Sequence, residues 1–138
     1  MRVVLDTKLL ISALVYRGLP ARLLLLFENP QHTLYTLPLL LAELEEVIFR
    51  KKFGKPLASG QSSARQLFDG LVALACTVKT SPLAMRVSRD EDDDAVLACA
   101  LAARADLIVS GDDDLLVLKQ FQGIPIMKAG EALEMLSG

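Results

Sequence analysis

Leu107-Ile108-Val109-Ser110-Gly111-Asp112 sets three aliphatic residues in a run and then breaks it with a small hydroxyl, a glycine and a carboxylate. An apolar run of this kind, without polar alternation, is the mark of a parallel strand covered on both faces. The chain opens on the same plan, since Val3-Val4-Leu5 runs directly into Asp6. Two buried strands far apart in sequence, each followed by aspartate, predict an open α/β sheet whose ligands gather beyond the carboxyl ends of its strands.

Between these strands the periodicity alternates. Lys8 to Val15 reads as a helix capped by Thr7, and Gly18 and Pro20 break it. A second helix, Ala21 to Glu28, stops at Asn29-Pro30, and His32 to Thr36 reads as a strand. Pro38 is tolerated in a first helical turn, and from there to Lys51 the residues Leu40, Leu44, Val47 and Ile48 recur at helical spacing. Residues 54–63, with Gly54, Pro56, Gly60 and three serines, predict a loop, followed by a helix from Ala64 to Ala75 and a short strand over Thr77-Val78-Lys79. Residues 80–92 form a connection, and Asp93 or Asp94 starts an Ala-rich helix that runs to Ala103. Ile124-Pro125-Ile126 reads as a short strand whose proline suggests a sheet edge, and Glu131 to Leu136 as a closing helix. The sum is a three-layer α/β/α fold with a central parallel sheet of four to five strands, in one domain over residues 1–138.

Bulk properties agree. A chain of 138 residues, 52 % hydrophobic and poor in aromatics, is the size of one aliphatic-cored domain. Apolar stretches such as Leu23 to Phe27 and Leu37 to Ala42 fall short of the roughly 18–20 residues that span a bilayer. Asp6 arrives too early for a signal-peptide apolar region, so a cytoplasmic protein is expected. Cys76 and Cys99, each alone in an apolar context, are expected to be buried free thiols. The net charge of −2 hides an uneven distribution: Asp90 to Asp94 and Asp112 to Asp114 hold eight of the 17 acids, which leaves nine against 15 basic residues elsewhere. Two acidic runs on an otherwise basic chain suit a metal site beside a polyanion-binding surface, although charge runs are often no more than solvated loops.

The acids have a particular placement. Asp6 and Asp112 follow strands, where either one alone is also a common cap or turn residue. Asp93 and Asp94 sit at a helix start, which the dipole favours, but five consecutive acids raise one another's pKa unless a cation compensates. Glu43 lies beside the core positions Leu40 and Leu44, whereas Glu46 can pair with Arg50 on a solvent face. Oxygen donors of this kind are what Mg²⁺ or Mn²⁺ takes. Other machinery is missing from the sequence. The single histidine, His32, reads as structural, and neither a G-x-x-x-x-G-K-[ST] loop nor a G-x-S-x-G elbow occurs.

Taken in order, V-V-L-D-T-K-L-L-I-S-A-L at the start, L-P-L-L-L-A-E-L-E-E-V-I in the middle and S-R-D-E-D-D-D-A-V-L-A-C-A-L-A-A-R-A-D-L-I-V-S-G-D-D-D-L-L in the second half resemble the PIN-domain family, and most closely its toxin-like members. The resemblance implies metal ligands at Asp6 and Asp112, an acidic site residue at Glu43, and a further ligand at Asp93 or Asp94, with catalytic roles for Asp6, Glu43, Asp94 and Asp112. It also implies supporting roles for Thr7 and Ser110 and an outer acid at Asp114. One departure stands out: Lys8 occupies the position of the family's asparagine. An ammonium group donates but cannot accept, so Lys8 either competes with metal among the carboxylates or turns outward to RNA phosphate.

The function implied is a Mg²⁺- or Mn²⁺-dependent endoribonuclease that cuts single-stranded RNA and leaves a 5′-phosphate, as the toxin of a toxin–antitoxin pair. An antitoxin protein and a homodimer or higher homo-oligomer are the partners implied. Arg17, Arg22, Arg50, Lys51 and Lys52, with Lys55, are the residues expected to track the RNA backbone, although a basic helix end also satisfies the helix dipole. The rival is a non-catalytic RNA- or protein-binding module in which Lys8 fills the metal position. A receiver-like phospho-acceptor fits less well, because no acid pair precedes the end of the first strand.

Overall fold

The computed structural model describes residues 1–15, 18–49, 64–79 and 91–137. Its elements run β1 (Arg2–Leu5), α1 (Thr7–Val15), α2 (Leu19–Leu25) with a 3₁₀ turn at Leu26–Glu28, β2 (Thr33–Thr36), α3 (Pro38–Ile48), α4 (Ala64–Leu74), β3 (Cys76–Thr77), α5 (Glu91–Ala103), β4 (Leu107–Val109), α6 (Asp113–Leu116), β5 (Gln120–Phe121), β6 (Ile124–Met127) and α7 (Ala129–Ser137). The sheet has the order β3-β2-β1-β4-β6-β5. Every neighbouring pair is parallel except β5 with β6. The fold is therefore the expected α/β one, five parallel strands with an antiparallel strand added at one edge.

Alternation along β1 and β4 divides the core in two. Val3, Leu5, Leu107 and Val109 join the leucines of α1, Leu23 of α2 and Leu136 of α7 on one face. Val4 and Ile108 join Val96, Leu97, Cys99 and Ala100 of α5 on the other. Small residues let α5 lie close to the sheet, and Leu97, Cys99 and Ala100 are wholly buried. With both faces covered, β1 and β4 require the uninterrupted apolar runs that mark them in the sequence.

Several local expectations are corrected. Asp6, not Thr7, caps α1, because its Oδ1 accepts from the Leu9 N–H at 2.8 Å. The short strand after α4 is Cys76–Thr77, and Cys76 is exposed because only one side of it meets a strand. α5 begins at Glu91, before Asp93. β6 is not an edge: β5 covers it through a two-residue turn in which Gln122 (φ 49°) and Gly123 (φ 84°) both lie in the left-handed region. Such a turn matches the twist of a hairpin, and Gln-Gly here stands in for the commoner Asn-Gly. The loop expected over 54–63, the connection over 80–90 and the end of the helix at Arg50 and Lys51 lie outside the described residues.

Among the described residues no single helix is long and apolar enough to cross a membrane. α1 and the α2 segment together have the composition, but they meet at 94°, and Leu9, Leu10, Leu14 and Leu23 lie in the core. His32 ties the two chain ends together, with Nε2 3.2 Å from the Leu136 carbonyl oxygen and Nδ1 3.5 Å from the Met1 amine.

Candidate metal centre

The strand order changes direction between β1 and β4: β1 leads outward to β2 and β3, whereas β4 leads to β6. A crevice forms beyond the carboxyl ends of strands at such a point. Leu5 pairs with Val109, so the register sets Asp6 beside Ser110 one step further on. The two residues continue the sheet's hydrogen bonding, Asp6 N to Val109 O at 3.1 Å and Ser110 N to Met127 O at 3.0 Å.

Ser110 organises the crevice. Its hydroxyl is fully buried, donates to Asp6 Oδ2 and accepts from the Asp112 N–H at 2.9 Å. Asp112 in turn caps the short helix α6, its Oδ1 accepting from the Asp114 N–H at 2.9 Å. The turn Ser110-Gly111-Asp112 is thereby fixed so that Asp112 and Asp114 leave the sheet on the same side. Asp93, in the first turn of α5 and 5 % exposed, meets them there. One carboxylate oxygen from each of Asp93, Asp112 and Asp114 lies within 4.8 Å of the others.

Asp6 plays a different part in this geometry. Both of its oxygens are engaged by the chain itself, through Leu9, Ser110 and the Gly111 backbone. Burial pushes its carboxyl above the usual range; these hydrogen bonds pull it back, and the nearby Asp112 charge adds a further upward push. Asp6 thus stands just behind the three clustered acids, coupled to them through Ser110.

The remaining residues singled out from the sequence are placed as follows. Asp94 is half-buried on α5 and lies outside the group of three. Glu43 is half-buried on α3, which packs against α1 and α5, the helices that begin at the crevice. Thr7 Oγ1 is buried beside Asp6 and has no hydrogen-bond partner among the described residues. Lys8 Nζ sits 3.9 Å from Asp112 Oδ2 with its side chain 76 % exposed. Arg22 is exposed on α2 at an apolar cleft walled by α1 and α4, away from the acids. Arg17, Arg50, Lys51, Lys52 and Lys55 lie outside the described residues. Asp114, expected as an outer acid, has a carboxylate oxygen grouped with those of Asp93 and Asp112. The signal was the Asp112-x-Asp114 spacing across a cap, which aims both carboxylates to one side. Asp93 carries a signal as well, because Asp93, Val96, Leu97 and Ala100 follow the i, i+3, i+4, i+7 spacing of one buried stripe.

A hard dication suits this donor set. Ligand oxygens on an octahedral Mg²⁺, held at about 2.1 Å, lie about 3–4 Å apart, a spacing that small side-chain movements of the three aspartates reach. The set is all oxygen and anionic, which favours Mg²⁺ or Mn²⁺ over ions that seek nitrogen or sulfur.

Comparison with known proteins identifies the family. A model of the PIN domain matches residues 2–114, from the first residue of β1 through Asp114. No curated protein and no solved structure matches the chain. The matched region holds every acid described above and most of the sequence, and the chain accordingly belongs to the PIN-domain family, a family of generally metal-dependent nucleases.

Proposed function

We propose that this protein is a metal-dependent endoribonuclease that cuts single-stranded RNA, the toxin of a toxin–antitoxin pair working in the cytoplasm. The observation that carries the reading is the approach of the Asp93, Asp112 and Asp114 carboxylates to within 4.8 Å at the strand-order reversal. Three like charges so close are costly unless a cation joins them. Asp93, Asp112 and Asp114 would hold Mg²⁺ or Mn²⁺, with Asp6 as a ligand or brace behind them and Glu43 orienting a water. Bound there, the ion would supply an acidified water and charge neutralisation at the phosphate. Ser110 keeps Asp6 and Asp112 in register beyond the paired central strands β1 and β4. Arg17, Arg22, Arg50, Lys51 and Lys52 would hold the RNA backbone by contacts that position without reading sequence. An antitoxin and a second copy of the chain are the partners this reading implies.

The second reading, a binding module without catalysis, draws on the Lys8–Asp112 ion pair. Metal titration separates the two. Mn²⁺ at about 100 times its dissociation constant is expected to stabilise the fold by about 2.7 kcal/mol and to start RNA cleavage, and Asp112→Asn is expected to abolish both responses. RNA that stays intact under saturating Mn²⁺, with binding retained, would favour the module.

A further inference from the structure

We propose that Lys8 is a phosphate-positioning residue, an ammonium group stationed at the rim of the acidic crevice to hold the RNA backbone in front of Asp112. The proposal rests on the ribonuclease reading above and assigns a role to the second residue of α1.

An ammonium that replaced a metal ion would sit among the carboxylates, buried and within hydrogen-bond distance of more than one of them. Lys8 does neither. Its side chain is 76 % exposed against 14 % for Asp112, and its ammonium lies 3.9 Å from Asp112 Oδ2, beyond hydrogen-bond length. Asp112 Oδ1 is taken by the Asp114 N–H, and the ammonium near Oδ2 keeps its contact with solvent.

Helix stability does not account for the residue. Lys8 is the second residue of α1, and a cation in a first turn is repelled by the helix's positive end. A solvent-exposed pair at this distance is weak and screened by salt, so Asp112 holds the ammonium only loosely. An anion arriving at the crevice can take it over. The group offers three donors and no acceptor, which suits phosphate oxygens, and its flexible stem lets it follow a strand as it seats.

The test uses the full chain, Lys8→Ala and Lys8→Arg. Mn²⁺ affinity is measured by calorimetry. Binding of a short phosphorothioate oligouridine, which keeps its backbone charge and is cut slowly, is followed by fluorescence anisotropy over a salt series with and without Mn²⁺. Lys8→Ala is expected to leave the Mn²⁺ dissociation constant within about threefold of the parent. It is expected to weaken RNA binding several-fold and to make the slope of log K against log[salt] shallower by about 0.7, the loss of one single-strand phosphate contact. Lys8→Arg is expected to restore the slope. A tenfold or greater gain in Mn²⁺ affinity with an unchanged slope would overturn the proposal and make Lys8 a competitor for the metal. An unchanged slope with unchanged metal affinity would overturn it too. Failure of the parent chain to bind Mn²⁺ sinks the metal-centre reading by itself, because the slope read without metal still decides the role of Lys8.

Discussion

Ser110 is the residue on which the geometry of the crevice turns. One hydroxyl, wholly out of water, links a carboxylate that follows β1 to the backbone of a carboxylate that follows β4. Ser110→Ala leaves an Asp6 oxygen and the Asp112 N–H without that partner, and unmade buried hydrogen bonds of this sort cost about 1–3 kcal/mol. Urea unfolding should show that loss. Calorimetry should show Mn²⁺ affinity about 10-fold weaker or more, as when the group that orients a metal ligand is removed. Unchanged metal affinity in a folded Ser110→Ala variant would mean that the aspartates need no such alignment. Lys8 sits at the other extreme, a solvent-exposed group whose effect should appear in RNA binding and not in unfolding.

Among the elements, the hairpin β5–β6 lies at the far edge of the sheet from β3 and contributes none of the clustered acids. Gly123 has φ +84° with open space around its Cα, so a methyl group there meets strain and no clash. Gly123→Ala should cost about 1 kcal/mol of stability, the usual left-handed penalty, and leave Mn²⁺ affinity unchanged in the same titration. A large change in metal binding would show that the hairpin does shape the crevice. This hairpin also shows where reading the sequence stops. β1 and β4 were legible because burial on both faces demands unbroken aliphatic runs. β3 and β5 are two residues each, too short for any period to register, and exist through their neighbours' hydrogen bonds. Gln-Gly hid the turn because glutamine is not a residue that favours positive φ. The four acidic regions were visible as types and spacings. Which acids share the crevice depends on the phase of α5 and on the Ser110–Asp6 hydrogen bond, whose partners are far apart in sequence.

At the scale of the molecule, two apolar layers share one sheet, and neither is complete without it. Leu34 lies in one layer and Leu97 in the other, both wholly buried. Truncating either to alanine should cost about 2–5 kcal/mol, and circular dichroism and tryptophan-free near-ultraviolet signals should fall in the same single transition. Two separated transitions would show that the layers unfold independently. The sheet's borders carry a consequence for recognition. Its outermost described strands, Cys76–Thr77 and Gln120–Phe121, expose very little unpaired backbone. A visiting peptide finds almost no ladder to extend, and runaway stacking of copies edge to edge is discouraged for the same reason. Among the described residues, helix side chains therefore offer a partner protein more surface than strand edges do, and changes there leave the strands that precede Asp6 and Asp112 undisturbed.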